Sequence, residues 1–343
     1  MIARRHFLYG AAAITASVAS ASATSTSVLK PAKLQPGAGI GLISPAGATF
    51  IEEELDIVLD AVQALGLVPY LAPHLLDRYG YFAGKDRDRA ADINQFFADP
   101  QIDALLPIRG GWGCSRILPY LNYDTIRQNP KIVVGFSDLT ALLLAIYAQT
   151  GLITFHGPNG LTSWRPAQTE SFRRVLFAGN QVSYENQLDS SDADRLMQVK
   201  YRVRTLRPGR ARGKLMGGNL SVLSALVGTP YFPDTRGAIL FIEDVGESIY
   251  RVDRMLTHLK LAGVLDGLAG FVFGQCIDCL PEADYGSLTL EEVLQDHIQP
   301  LGVPAWSGAQ IGHLEPILTI PIGIEAVIDA DIGKIDMLEP GVV

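Results

Sequence analysis

Apolar positions along this chain switch between two periods. Ile40 to Ile43 is a short unbroken apolar run, as in a buried strand, and Leu55, Val58, Leu59, Val62 and Leu65 then recur at helical spacing. Gly66 follows at the point where a helix commonly ends on a left-handed residue. Further strands are predicted at 67–71, 104–108, 132–134 and 152–155, with helical patterns between them. That alternation predicts a parallel sheet covered by helices on both faces. From about Trp164 to Arg212 the periodicity fades into polar and charged residues, which predicts a linker over 166–212. Beyond it come Gly217-Gly218-Asn219-Leu220, a strand at 238–242, a helix at 248–261, a strand at 270–274 and short β patterns near the end. The prediction is an α/β protein of two domains: an N-terminal parallel-sheet αβα domain over 24–165 and a smaller, β-rich α/β C-terminal domain over 213–343. A cleft is expected between them.

The 343 residues suffice for two cores, and 48% hydrophobic with 19% charged residues is the balance of a folded soluble chain. The net charge of −8, without a lysine or arginine run, argues against a nucleic-acid partner. Residues 1–23 differ in kind. Arg4-Arg5 precede an Ala-rich apolar stretch and the small-residue pattern Ala21-Ser22-Ala23, which together resemble a cleaved twin-arginine export signal. The apolar run is too short for the roughly 20 residues that cross a bilayer, so the expectation is a periplasmic protein without a stable membrane anchor. Of the three cysteines, Cys276 and Cys279 form a C-x-x-C pair. A structural zinc site wants a second such pair, which is missing, so no metal is expected and a Cys276–Cys279 disulfide stays open.

In open parallel sheets, ligands gather at the carboxyl ends of strands. Two segments lie there, Arg109-Gly110-Gly111-Trp112-Gly113 and Gly135-Phe136-Ser137-Asp138. A serine at a strand-to-helix turn presents its hydroxyl at the sheet edge, close to backbone N–H groups, which makes Ser137 the candidate nucleophile. Serine and aspartate also cap helices, and Leu139 stands where a G-x-S-x-G elbow carries its second glycine. The paired glycines after Arg109 let backbone N–H groups approach a ligand, and they equally suit a tight turn. The glycines of Gly37 to Gly41 precede the first strand, so they do not form a dinucleotide fingerprint. A hydroxyl nucleophile needs a base and an orienting acid. His156 and His313 both follow suitable turns, Glu243 and Asp244 both end an apolar strand, and spacing alone chooses within neither pair.

The runs RGGWGCSRILP, NPKIVVGFSDLTAL, TFHGP, GGNLSVLSALVGTP, FIEDVGESIYRVDRML and IGH, in this order, resemble the LD-carboxypeptidase family. That family includes muramoyltetrapeptide carboxypeptidases and microcin-immunity serine peptidases. The resemblance spans roughly Pro36 to Asp336 and implies a Ser-Glu-His triad at Ser137, Glu243 and His313, with His156 left as a structural or pocket residue. It implies an oxyanion hole, assigned to the N–H groups of Gly111 and Asp138, and no cofactor. The implied reaction releases D-alanine from murein tetrapeptides, a murein peptide being the partner and a homodimer the expected assembly. Trp112 stands where relatives often carry Tyr. Trp112, Asn219, Glu247 and Arg251 are the expected substrate contacts, and Arg109, Arg116 and Arg251 the candidate partners of the terminal carboxylate. Two alternatives accompany this reading: a microcin-immunity-type peptidase cleaving acyl-sulfamoyl adenylates, and a murein-binding protein without turnover.

Overall fold

In a computed structural model that describes residues 28–281 and 286–343, two sheets carry the chain. The proposed signal at 1–23 lies outside the described residues. The first sheet is built from β1 (Gly39–Ile43), β2 (Val68–Leu71), β3 (Ala104–Pro107), β4 (Ile132–Gly135) and β5 (Thr154–His156). All five run parallel, in the order β5-β4-β3-β1-β2. β1, β3, β4 and β5 are buried along their whole length, which is why the first three read as apolar runs. Helix Glu52–Ala64 turns Leu55, Val58 and Val62 inward, as the periodicity predicts. Helix Leu139–Thr150 buries nine of its twelve residues and ends on Gly151 at φ 77°.

The second sheet holds β6 (Ser183–Glu185), β7 (Arg204–Arg207), β8 (Arg210–Asn219), β9 (Ala238–Val245), β10 (Gly270–Ile277) and β11 (Ala305–Ser307). β12 (Ile320–Ile322) precedes the closing hairpin of β13 (Glu325–Asp329) and β14 (Lys334–Met337), and that hairpin completes the second sheet. The strand order is β6-β14-β13-β8-β9-β10-β11-β7, parallel from β8 through β11 and antiparallel outside that block.

Two features depart from the expected division of the chain. Residues 166–212, read as a linker, contain helix Pro166–Leu176, β6, β7 and the start of β8. Their weak pattern has a physical cause: β6 and β7 are the two edges of the second sheet, where β6 buries only Tyr184 and β7 is almost wholly exposed. β12, although close to the C-terminus, joins the first sheet by pairing antiparallel with β5, Ile320 opposite His156 and Ile322 opposite Thr154. The buried side chains of both sheets form one continuous core. Cys276 and Cys279 are joined in a disulfide, and Cys114 is a buried free thiol. Among the described residues no helix is long and apolar enough to cross a membrane.

Candidate active site

Ser137 follows β4 after one residue and sits at φ 64°, in the left-handed region that costs a non-glycine residue roughly 1–3 kcal/mol. The turn is held in that shape by its neighbours. Gly135 admits no side chain, since a Cβ there would fall 2.8 Å from Leu139 Cγ and 3.0 Å from Asn159 Oδ1. Asn159 Oδ1 in turn accepts the Phe136 N–H at 3.3 Å. The Asp138 carboxylate, buried at the start of the helix, accepts the Cys114 N–H at 2.8 Å. That bond ties the glycine-rich loop after β3 to the serine turn, and burial raises the Asp138 pKa above the usual carboxylate range. The same loop runs close to the serine: a Cβ on Gly110 would lie 3.2 Å from Ser137 Cβ and 3.4 Å from its Oγ.

His313 Nε2 lies 2.9 Å from Ser137 Oγ, and its Nδ1 lies 2.8 Å from Glu243 Oε2. Glu243 is fully buried near the end of β9, and the imidazole packs on the Phe136 ring at 5.0 Å between centroids. Hydroxyl, imidazole and carboxylate thus form one hydrogen-bonded chain across the two sheets. Gly312 makes room for it, at φ 133° and with no space for a Cβ beside Glu243 Oε2. The loop carrying His313 is anchored from both sides. Phe273 O of β10 accepts the Gly308 N–H, and Asn186 donates to Tyr201 O and Gly308 O, both at 2.7 Å, while accepting the Gln310 N–H at 2.9 Å.

Asp244, the other candidate acid, is occupied elsewhere. Its carboxylate accepts Asn219 Nδ2 and the N–H groups of Ser221 and Val245, each at 2.9 Å, and burial lifts its pKa to about 6. His156, the other candidate base, lies buried beside the triad between the rings of Phe136 and Phe241, and burial lowers its pKa to about 4. His74 and His297 pair with Asp77 and Asp253 respectively.

The cleft in front of Ser137 has a volume of about 260 Å³, and its walls include Arg109, Gly111, Asn159, Thr162 and His313. The expected substrate contacts are scattered around it. Trp112 is 68% exposed and meets Tyr81 edge-on at 5.9 Å. Asn219 is buried as the cap of helix Leu220–Leu226, its amide engaged by Asp244, Ser221 and Val222. That amide lies on the strand beside the candidate acid, Asn219 standing opposite Glu243 in the ladder of β8 and β9. Glu247 and Arg251 pair with each other at 3.8 Å after β9. Arg116 is taken by Asp86 through both Nε and Nη2.

Asn159 and Asn186 are the residues that sequence reasoning missed. The signal for Asn159 is an amide just past the carboxyl end of β5, between proline and glycine; Asn186 lies in the stretch read as a linker.

Comparisons with known proteins find relatives along most of the chain. Residues 40–157 match the profile of the LD-carboxypeptidase N-terminal domain and residues 212–328 that of the C-terminal domain. A probable murein peptide carboxypeptidase of Bacillus subtilis is 39% identical over 318 residues, covering 91% of this chain and 95% of that protein. Microcin C7 self-immunity protein MccF, solved with glutamyl sulfamoyl guanosine, superposes with a TM-score of 0.82 at 29% identity, covering 92% of this chain and 100% of that one. Muramoyltetrapeptide carboxypeptidase from Oxalobacter formigenes gives a TM-score of 0.72 at 25% identity, covering 87% of this chain and 97% of that one. On its sequence and its fold, this chain belongs to the LD-carboxypeptidase family.

Proposed function

We propose that the protein is a serine LD-carboxypeptidase that releases the terminal D-alanine of murein tetrapeptides through an acyl-enzyme. The observation that carries this reading is the bonded chain from Glu243 through His313 to Ser137, open to a cleft. Ser137 Oγ attacks the carbonyl carbon of the L-configured centre while its proton passes to His313 Nε2. The buried Glu243 carboxylate fixes the imidazole tautomer by accepting from Nδ1 and stabilises the imidazolium. The tetrahedral oxyanion is received by backbone N–H groups, for which Gly111 and Asp138 are the assigned donors. Each such donor lowers the barrier by roughly 3 kcal/mol. The C–N bond then breaks, His313 returns the proton to the amine of D-alanine, and water, activated by the same histidine, releases the acyl group.

Incubation with purified tetrapeptide tests this directly. Free D-alanine is expected from the wild type and none above background from Ser137→Ala; unchanged release by that variant would reject Ser137 as nucleophile. A second reading, cleavage of acyl-sulfamoyl adenylates, draws support from the MccF likeness. It predicts turnover of glutamyl sulfamoyl adenosine in place of tetrapeptide. A murein-binding protein without turnover predicts tetrapeptide binding and no release. Export remains part of the proposal: mass spectrometry of the protein from its native cells is expected to find a new N-terminus at Thr24.

A further inference from the structure

A carboxypeptidase distinguishes the end of a chain from its middle, so a group near the nucleophile must recognise a free carboxylate. In a peptide ending in D-alanine, that carboxylate is three bonds from the scissile carbonyl carbon and within about 4 Å of it. Its partner therefore belongs to the cleft that holds Ser137. Of the described residues lining that cleft, Arg109 carries the only permanent charge. Its backbone leads straight into Gly110, which packs against Ser137. The other two candidate arginines line no part of this cleft, Arg116 being held by Asp86 in bidentate fashion and Arg251 standing beside Glu247 on a helix of the second lobe.

The setting of Arg109 is that of a receiver of anions. Its side chain is 40% exposed, and Glu54, on the first turn of helix Glu52–Ala64, approaches Nη1 at 3.7 Å, beyond hydrogen-bond range. Glu54 Oε2 is buried and accepts no hydrogen bond from any described residue. The acid thus holds the guanidinium at the mouth by charge and leaves its N–H fork open. A planar fork of donors matches a carboxylate bidentately, which a lysine ammonium does not.

We infer that Arg109 binds the free α-carboxylate of the departing residue and is the specificity determinant that makes the enzyme an exopeptidase. This rests on the carboxypeptidase reading above. The test compares a tetrapeptide ending in D-alanine with the same peptide ending in D-alaninamide, each assayed for kcat/KM with wild type, Arg109→Gln, Arg109→Lys and Arg116→Gln. Wild type should prefer the acid by about 100-fold, the range set by a hydrogen bond to a charged group. Arg109→Gln should lose that preference to within about threefold of unity by slowing on the acid alone, with Arg109→Lys intermediate and Arg116→Gln keeping the preference. Because the readout is a ratio within one variant, partial loss of folded protein cancels. An equal fall on both substrates, a ratio unmoved by Arg109→Gln, or no preference in the wild type would overturn the assignment. Release from neither substrate by the wild type would instead sink the carboxypeptidase reading, and this inference with it.

Discussion

Replacing His156 by Phe isolates the cost of burying a titratable ring beside the triad. The histidine is 1% exposed and wedged edge-on between Phe136 and Phe241, contacts that a phenylalanine ring can keep. Burial moves its pKa from the ordinary 6.5 to about 4, so the folded protein binds this proton less readily than the unfolded chain. The sign follows from linkage: a base depressed by folding contributes stability that is present above pH 6.5 and is lost as the pH falls toward 4. Between about pH 7 and pH 4.5, a shift of this size costs about 2.4 kcal/mol of unfolding free energy, about 60-fold in the equilibrium constant. Asp244 works in the opposite direction, since its raised value makes the folded state bind a proton more readily over part of the same range. The informative quantity is therefore the difference between proteins. Urea unfolding of wild type and His156→Phe across about pH 4.5–7 should show the wild type losing about 2.4 kcal/mol more than the variant on acidification. Constant losses from repacking drop out of that slope. Parallel curves would refute the premise that the buried ring stays neutral.

Two further substitutions probe the supports of His313. Gly312→Ala should cost roughly 1–3 kcal/mol and at least about tenfold in kcat, because φ 133° disfavours a side chain and the new Cβ would lie 2.9 Å from Glu243 Oε2. Calorimetry and D-alanine release check both, and wild-type turnover would show that the acid tolerates the intrusion. Asn186→Ala removes three hydrogen bonds from the His313 loop and its surroundings, a loss of about 2–3 kcal/mol. Its kcat should fall more than its KM rises, since the amide holds the loop carrying His313, the proposed base; a change confined to KM would contradict that role.

How much of this molecule is legible in its sequence depends on where each residue lies in the sheets. β1, β3 and β4 are legible because central parallel strands are buried on both sides and read as plain apolar runs. β6 and β7 are not, because an edge strand with one buried residue, or none, leaves no alternation to detect. The pairing of β12 with β5 is hidden for another reason: I-P-I looks the same whichever sheet it joins, and the choice is made by partners far apart in the chain, Ile320 opposite His156. At the site, the strand-to-helix turn at Ser137 announces itself locally. Choosing His313 over His156, or Glu243 over Asp244, requires knowing which groups meet in space, and the residue pattern leaves both pairs open. The bond from the Asn219 amide to Asp244, on the neighbouring strand, is likewise a pairing that residue spacing does not announce.

The crossing of β12 onto the edge of β5 has a bearing on how the polypeptide comes into being. The amino-terminal lobe leaves its outermost ladder unpaired until Ile320 to Ile322 have emerged from the ribosome, long after His156. Until then β5 presents a bare row of backbone donors and acceptors, the kind of edge on which nascent chains stick to one another. Cutting the gene between the two lobes would make that exposure permanent, so the first lobe expressed by itself should be prone to clumping, and supplying the 320–322 strand in its place should relieve it.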